Sequence, residues 1–138
     1  MGLLKQLEIE YELDIIDEFL THFGIMNGLL DGFIINLGNK DKFDASANEL
    51  GRIFHNIKSA CEYLKLDAII KLTSIAEDIV SELKSRKNTG ARASNAAIDW
   101  LLEVSSQLEL YRQDLENDEI YFHILHPSII NIPTNLFA

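Results

Sequence analysis

Apolar residues recur at helical spacing along four stretches of the chain. Between about residues 13 and 37 they follow the i, i+3, i+4, i+7 pattern of a helix that buries one face. Similar patterns cover about 46–64, 68–86 and 95–117. Only the C-terminal tail shows any of the alternation of apolar and polar residues that is typical of a β-strand. The pattern predicts an all-α fold, an antiparallel up-down four-helix bundle joined by short loops.

Residues at the predicted helix ends match known capping preferences. Gly38 and Asn39 predict the end of the first long helix. Glu49 follows Ser46 by three residues, as in a capping box. The expected N-cap residues of the following helices are Asp44 or Ser46, then Asp67, then Ser94 or Asn95.

Three glycines lie inside the first predicted long helix at intervals of four residues, Gly24, Gly28 and Gly32. Each glycine costs a helix interior about 1 kcal/mol relative to alanine. One interpretation is a groove that lets another helix or a partner protein approach the backbone closely. The other is a kink, or a break into two helices between residues 24 and 28.

The two ends of the chain differ from the amphipathic middle. The first dozen residues predict a short helix or a loosely held N-terminal lead-in. The tail, 119–138, is rich in Ile, Leu and Phe, and its two prolines exclude a continuous helix. We therefore divide the chain into a helical domain, 1–118, and an irregular apolar tail, 119–138. The tail is expected to pack back on the helices, with docking on a partner or a role as a linker as alternatives.

The charge and hydropathy of the chain limit the classes of partner that it is expected to bind. The chain has 22 acidic and 12 basic residues and a net charge of −10. This balance disfavours nucleic acid and anionic membrane surfaces, which need basic patches. No apolar run reaches the roughly 18 residues of a membrane span, and no signal-peptide pattern is visible. We expect a cytoplasmic protein that binds neither nucleic acid nor membranes.

His55 is the residue with the clearest candidate chemistry. On a helical projection of about 100° per residue it falls on the polar side of its helix, opposite Phe54 and Ile57. Lys58 lies one turn away. An exposed neutral imidazole is a nucleophile, so this placement is the first indication of function.

The run H-N-I-K-S-A-C-E-Y-L, which begins at His55, resembles the signature of histidine-containing phosphotransfer (HPt) domains. In that signature the histidine is followed by lysine at +3, glycine at +4 and an apolar residue at +9, and Lys58 and Leu64 match. The preceding and last long helices resemble those of the HPt domain at the N-terminus of chemotaxis-type histidine kinases. The similarity covers roughly residues 12–117.

The resemblance implies a phosphorelay carrier in two-component signal transduction, with phosphohistidine formed on His55. It assigns Lys58 to phosphoryl-group stabilisation and Ser59 to the small position that leaves the histidine accessible. Glu62, about two turns further on, is a candidate hydrogen-bond partner of the imidazole. The implied partners are a response-regulator receiver domain, a histidine-kinase catalytic domain, or both. No cofactor of its own is implied, and Mg²⁺ would belong to the partner's acidic site.

Two positions depart from the HPt pattern. Ser59 replaces the usual glycine beside the acceptor, and Lys65 replaces the usual glycine at +10. We expect a looser junction over residues 65–67 in place of the glycine turn. The alternative function is a non-catalytic, degenerate HPt module that binds a signalling partner. The chain has no ATP-binding kinase motif, so any phosphoryl group must come from another protein or domain.

The remaining histidines and the cysteine have simpler interpretations. His22 is expected to be a solvated surface residue. Cys61 lies in the apolar arc and is expected to be a small core residue. His123 and His126 form an H-x-x-H pair without a third ligand at suitable spacing, which argues against a zinc site.

Overall fold

The computed structural model describes residues 1–138 and is all-helical, as the apolar pattern predicts, with 70% of residues in helices and no strands. The helices are α1 (Leu3–Glu10), α2 (Leu13–Asn36), α3 (Phe43–Tyr63), α4 (Asp67–Lys84), α5 (Asn95–Glu116) and α6 (Pro127–Ile130). A single isolated β-bridge joins Ala93 and Phe137. None of the helices combines the length and apolarity that a membrane-spanning segment needs.

One apolar core lies between the four long helices. Helix α2 contacts α3 and α5, α3 packs mainly on α4, and α4 also contacts α5. The largest fully buried side chains include Phe23, Phe43, Phe54, Leu30, Ile34 and Leu50. This packing fixes the rotation of α3, so the polar side of α3, which carries His55, faces outward.

Helix α3 begins earlier than its capping residues predict. Its first residue is Phe43, and the N-cap residue Lys42 makes no side-chain capping bond. Ser46 is buried inside the helix at 3% exposure, so the predicted capping box is wrong. Phe43 is almost fully buried, and burial of its ring stabilises an additional helical turn that local capping chemistry does not predict.

Among the other predicted helix ends, the start of α5 is confirmed, whereas the cap of α4 and the glycine C-cap of α2 are wrong. Ser94, one of the two predicted candidates, is the N-cap of α5, and its hydroxyl accepts a hydrogen bond from Ala97 N–H at 3.1 Å. Asp67 is the first residue of α4 and does not cap it. Helix α2 ends at Asn36, and Gly38 does not adopt the positive φ of a glycine C-cap.

Helix α2 is continuous through its three glycines, so the alternative of two helices broken between residues 24 and 28 is wrong. Cβ atoms built on Gly28 and Gly32 would meet nothing within 4 Å, and one on Gly24 would meet only Arg112 Cδ at 3.7 Å. No backbone of this chain therefore approaches the glycine row closely. The row faces outward instead.

The turn after α3 is made at Lys65, whose φ is +58°. Leu66 N–H donates to Cys61 O at 3.0 Å, and Lys65 N–H donates to Glu62 O at 3.2 Å. These two bonds form a Schellman motif, in which the residue after the C-cap adopts the left-handed conformation. The expected looser junction is therefore wrong, because lysine occupies the backbone conformation that glycine prefers.

Replacing Lys65 by glycine is expected to raise the free energy of unfolding by about 1 kcal/mol, because a side chain in the left-handed region costs roughly 1–2 kcal/mol. Chemical denaturation followed by circular dichroism measures the change. Lys65→Ala is the matched control, since it removes the charge but keeps the Cβ and the strain. Equal stability of the glycine and alanine variants would show that Lys65 is not strained.

The N-terminal lead-in is helical and is held by the residues that follow α5. Leu3 N–H donates to Glu119 O at 2.7 Å, and Lys5 N–H donates to Asp118 Oδ1 at 3.1 Å. These bonds satisfy two of the free N–H groups that a helix start leaves without intrahelical partners. Leu7 is the one residue of α1 that is buried.

The C-terminal segment, 119–138, folds back along α5. Trp100 Nε1–H donates to Ile129 O at 2.9 Å, and Ser94 Oγ donates to Asn135 O at 2.7 Å. Ile129 and Leu136 are buried at 1% and 4% exposure. The segment therefore contributes side chains to the same core as the long helices.

Both tail histidines contact polar groups of α5. Asp114, only 1% exposed, accepts a hydrogen bond from His123 N–H at 2.7 Å, and its Oδ1 lies 2.6 Å from His123 Nδ1. Gln107 Oε1 accepts from His126 N–H at 3.0 Å. These contacts satisfy a carboxylate and an amide that α5 alone would bury without partners.

Candidate functional site

His55 lies on the outward face of α3, with 64% of its side chain exposed. Its neighbours Ile53, Phe54 and Ile57 are buried and anchor the opposite face of the helix. The imidazole is thus held on a rigid element and remains accessible to another protein. This is the position that the apolar pattern predicted for it.

Glu77 of α4 contacts both His55 and Lys58. Its Oε2 lies 3.7 Å from His55 Nδ1, and its Oε1 lies 3.2 Å from Lys58 Nζ. The side chains of Glu77 and Lys58 are 22% and 25% exposed. Glu77 Oε1 has no well-directed hydrogen bond, so its contact with Lys58 is an ion pair rather than an aligned hydrogen bond.

The position of Glu77 distinguishes the two imidazole nitrogens of His55. A carboxylate facing Nδ1 favours the tautomer that carries its proton on Nδ1. The lone pair is then on Nε2, for which this chain provides no hydrogen-bond partner or counter-charge. At 3.7 Å the distance between His55 Nδ1 and Glu77 Oε2 exceeds a hydrogen bond, so the interaction is electrostatic. The arrangement makes Nε2 the candidate nucleophile of this site.

The structure brings two of the predicted site residues, His55 and Lys58, together around one carboxylate. Ser59 is exposed one turn from His55. Glu62, the predicted partner of the imidazole, is exposed and makes no contact with His55. Seven residues along a helix correspond to about 10 Å, and Glu77 occupies the partner position instead.

Glu77 was not predicted from the sequence, because no motif or local pattern distinguishes it from the other glutamates of the chain. It lies 22 positions after His55, on a different helix, beside the predicted inner face of α4. Its contact with His55 depends on the rotation and register of α3 against α4. A single sequence contains no direct signal for that register.

An apolar groove of about 470 Å³ lies beside this site, between α2 and α3. Ser59 and Ala60 form part of its α3 wall, and Phe19 and Met26 form part of its α2 wall. His22 lines the groove and is exposed, 3.9 Å from Glu18. The groove and the exposed side chain of His55 therefore lie on neighbouring parts of one surface.

Cys61 is not part of this surface. It is fully buried, and burial raises the pKa of its thiol to about 12. The thiolate is the reactive form of cysteine. Cys61 is therefore a protonated core residue at neutral pH rather than a nucleophile.

Comparison of the chain with protein-family models, with curated proteins and with solved structures gave no match.

Proposed function

We propose that this chain is an HPt-type phosphorelay carrier, which accepts and donates a phosphoryl group on His55 Nε2 in two-component signalling. The observation that supports it best is the triad of His55, Lys58 and Glu77. It combines an exposed imidazole, a carboxylate facing Nδ1 and an ammonium close by.

We propose a direct phosphoryl transfer, in which one bond to phosphorus forms while another breaks. The Nε2 lone pair attacks the phosphorus of an aspartyl phosphate on a receiver domain. An N–P bond forms as the P–O bond to the aspartate breaks, and the aspartate carboxylate leaves with the electron pair. The imidazole keeps its Nδ1 proton, which Glu77 stabilises as the ring becomes cationic. The reverse reaction returns the phosphoryl group to an aspartate.

Lys58 offsets the negative charge that phosphorylation adds beside Glu77. Catalysis of phosphoryl transfer consists mainly of positioning and charge neutralisation. In this proposal the remaining positive charge, including Mg²⁺, belongs to the partner. A histidine-kinase catalytic domain is the corresponding donor when the phosphoryl group comes from ATP.

We infer that the receiver domain docks on the α2–α3 face. The apolar groove beside Ser59 provides a surface for its hydrophobic residues, and His55 lies at the edge of that surface. We further infer the finer architecture, an antiparallel up-down four-helix bundle, from the helix pairings and the short connections. A cytoplasmic location is part of the same proposal.

His55→Gln is expected to abolish phosphorylation of the chain. The protein is incubated with a ³²P-labelled phospho-receiver or with phosphoramidate, and the label is tested for the acid lability and base stability of phosphohistidine. His126→Gln, which removes another exposed histidine that does not line this groove, is the control and should retain the label. Absence of label on the folded wild-type chain with every donor would overturn the proposal.

The alternative, a degenerate HPt module that only binds a partner, would be favoured by a tail that covers His55. The C-terminal segment instead contacts α5 through Trp100 and Asp114. This arrangement supports phosphoryl transfer over the purely binding role.

A further inference from the structure

Gly51 lies inside helix α3, one turn before His55, and a lysine of α4 lies over it. A Cβ atom built on Gly51 would be 3.3 Å from Lys84 Nζ and 3.6 Å from Lys84 Cδ. Glycine is a poor helix former, and Gly51 serves no turn, since its φ is not positive. The space that a side chain at position 51 would fill is instead occupied by the end of Lys84.

The ammonium group of Lys84 is within reach of the His55 ring. Cβ atoms one helical turn apart are about 5–6 Å from each other, so Lys84 Nζ lies within about 9 Å of His55 Cβ. Side chains of a helix lean towards its N-terminus, and this lean brings the imidazole towards Gly51. Lys84 is exposed, so a change of rotamer is enough for it to contact a group bound to Nε2.

Lys84 has no counter-ion in this chain. Lys58 pairs with Glu77 at 3.2 Å, whereas no carboxylate oxygen lies within salt-bridge distance of Lys84 Nζ. The three hydrogens of the Lys84 ammonium also find no acceptor among the side-chain hydrogen bonds of the structure. The ammonium is therefore available to pair with an anion that arrives from outside.

Phosphorylation of His55 adds more negative charge than Lys58 can offset. A phosphoryl group carries a charge of roughly −2 near neutral pH, and Glu77 already contributes one negative charge beside the ring. Lys58 lies one turn after His55, and the Lys84 ammonium lies over the turn before it. The two lysines therefore flank the imidazole along the α3–α4 edge.

We propose that Lys84 is a second phosphoryl-binding residue of this site and that Gly51 is the positioning residue that gives its ammonium access to the phosphoryl oxygens. The phosphoryl group on His55 is that of the proposed function, on which this inference rests. The Lys84 ammonium keeps its protons throughout and donates hydrogen bonds to the phosphoryl oxygens. It acts with any donor, because it belongs to this chain and lies outside the α2–α3 groove.

The experiment measures the rate at which phosphoramidate phosphorylates the full chain, followed by ³¹P NMR with no partner protein present. His55 Nε2 forms the new N–P bond as the P–N bond of phosphoramidate breaks, and ammonia leaves with the electron pair. Lys84→Gln is expected to slow the reaction about tenfold, whereas Lys84→Arg should retain most of the rate because it keeps the charge and the donors. Lys71→Gln, which removes another exposed lysine of α4, is the matched control and should react at the wild-type rate.

Gly51→Gln tests the access that the glycine provides. Its side chain would fill the space that the end of Lys84 occupies, so it should slow phosphorylation about as much as Lys84→Gln. In the Lys84→Gln background it should have no further effect, because both changes remove the same contact. Thermal unfolding shows whether each variant is folded, and the exposed Lys84 variants keep the test decisive if Gly51→Gln is not.

The outcomes separate this inference from the proposed function. A wild-type rate for Lys84→Gln would overturn the role of Lys84 and leave phosphorylation of His55 in place. An equal loss of rate in Lys71→Gln would reduce the effect to net charge and would also overturn it. Additive losses from Gly51→Gln and Lys84→Gln would eliminate the positioning role of Gly51. Absence of phosphorylation of the folded wild-type chain would overturn both proposals together.

Discussion

Replacing Glu77 by alanine is expected to slow phosphoryl transfer through His55 by about 10²-fold, the lower end of the range for a group that assists proton placement. Glu77 faces Nδ1 at 3.7 Å and pairs with Lys58 at 3.2 Å. Its loss removes the preference for the Nδ1–H tautomer and the stabilisation of the cationic ring. It also frees the Lys58 side chain to move away from the site.

Single-turnover transfer from a labelled phospho-receiver measures this effect. Asp78→Ala is the matched control, because it removes an exposed carboxylate from the next position of α4 and should leave the rate unchanged. The imidazole ¹⁵N spectrum of His55 provides an independent readout, since the Nδ1–H tautomer should predominate only when Glu77 is present. A wild-type rate and an unchanged spectrum for Glu77→Ala would eliminate the positioning role of Glu77.

Replacing Ile129 by alanine is expected to lower the free energy of unfolding by about 3 kcal/mol, as for other large-to-small changes at fully buried sites. Ile129 is 1% exposed, and its carbonyl accepts the Trp100 indole hydrogen bond at 2.9 Å. The cavity left by the substitution would lie against α5. The same change would loosen the bond that holds the tail to Trp100.

The adjacent residue is the natural control for this prediction. Ile130 is 68% exposed, and Ile130→Ala should change stability by no more than about 0.5 kcal/mol, as is usual on surfaces. Denaturant unfolding gives both values, and hydrogen exchange of the Trp100 indole reports on the tail directly. Equal effects of the two substitutions would show that the tail does not pack on α5 in the described way.

The sequence by itself determined the helical class, the inward faces of the four long helices and the outward position of His55. These features depend on the 3.6-residue period, which each segment carries within its own residues. The proximity of Lys58 to His55 follows from the same local geometry, since the two residues are one turn apart. The N-cap of α5 depends equally on local residues, and the sequence limits it to Ser94 or Asn95, of which the structure shows Ser94.

Only the tertiary structure determines which residues of different helices contact each other. His55 lies next to Glu77 rather than next to the predicted Glu62. Packing over the whole α3–α4 interface sets the register of the two helices and so brings Glu77 to this position. Burial of Phe43 moved the start of α3 ahead of its capping residues. Lys65 adopts a left-handed turn that its own side chain disfavours, because Leu66 and Cys61 are buried on either side of it. In each case a contact between residues from separate elements outweighed the local preference of the chain, and for that reason the helix pattern alone did not predict it.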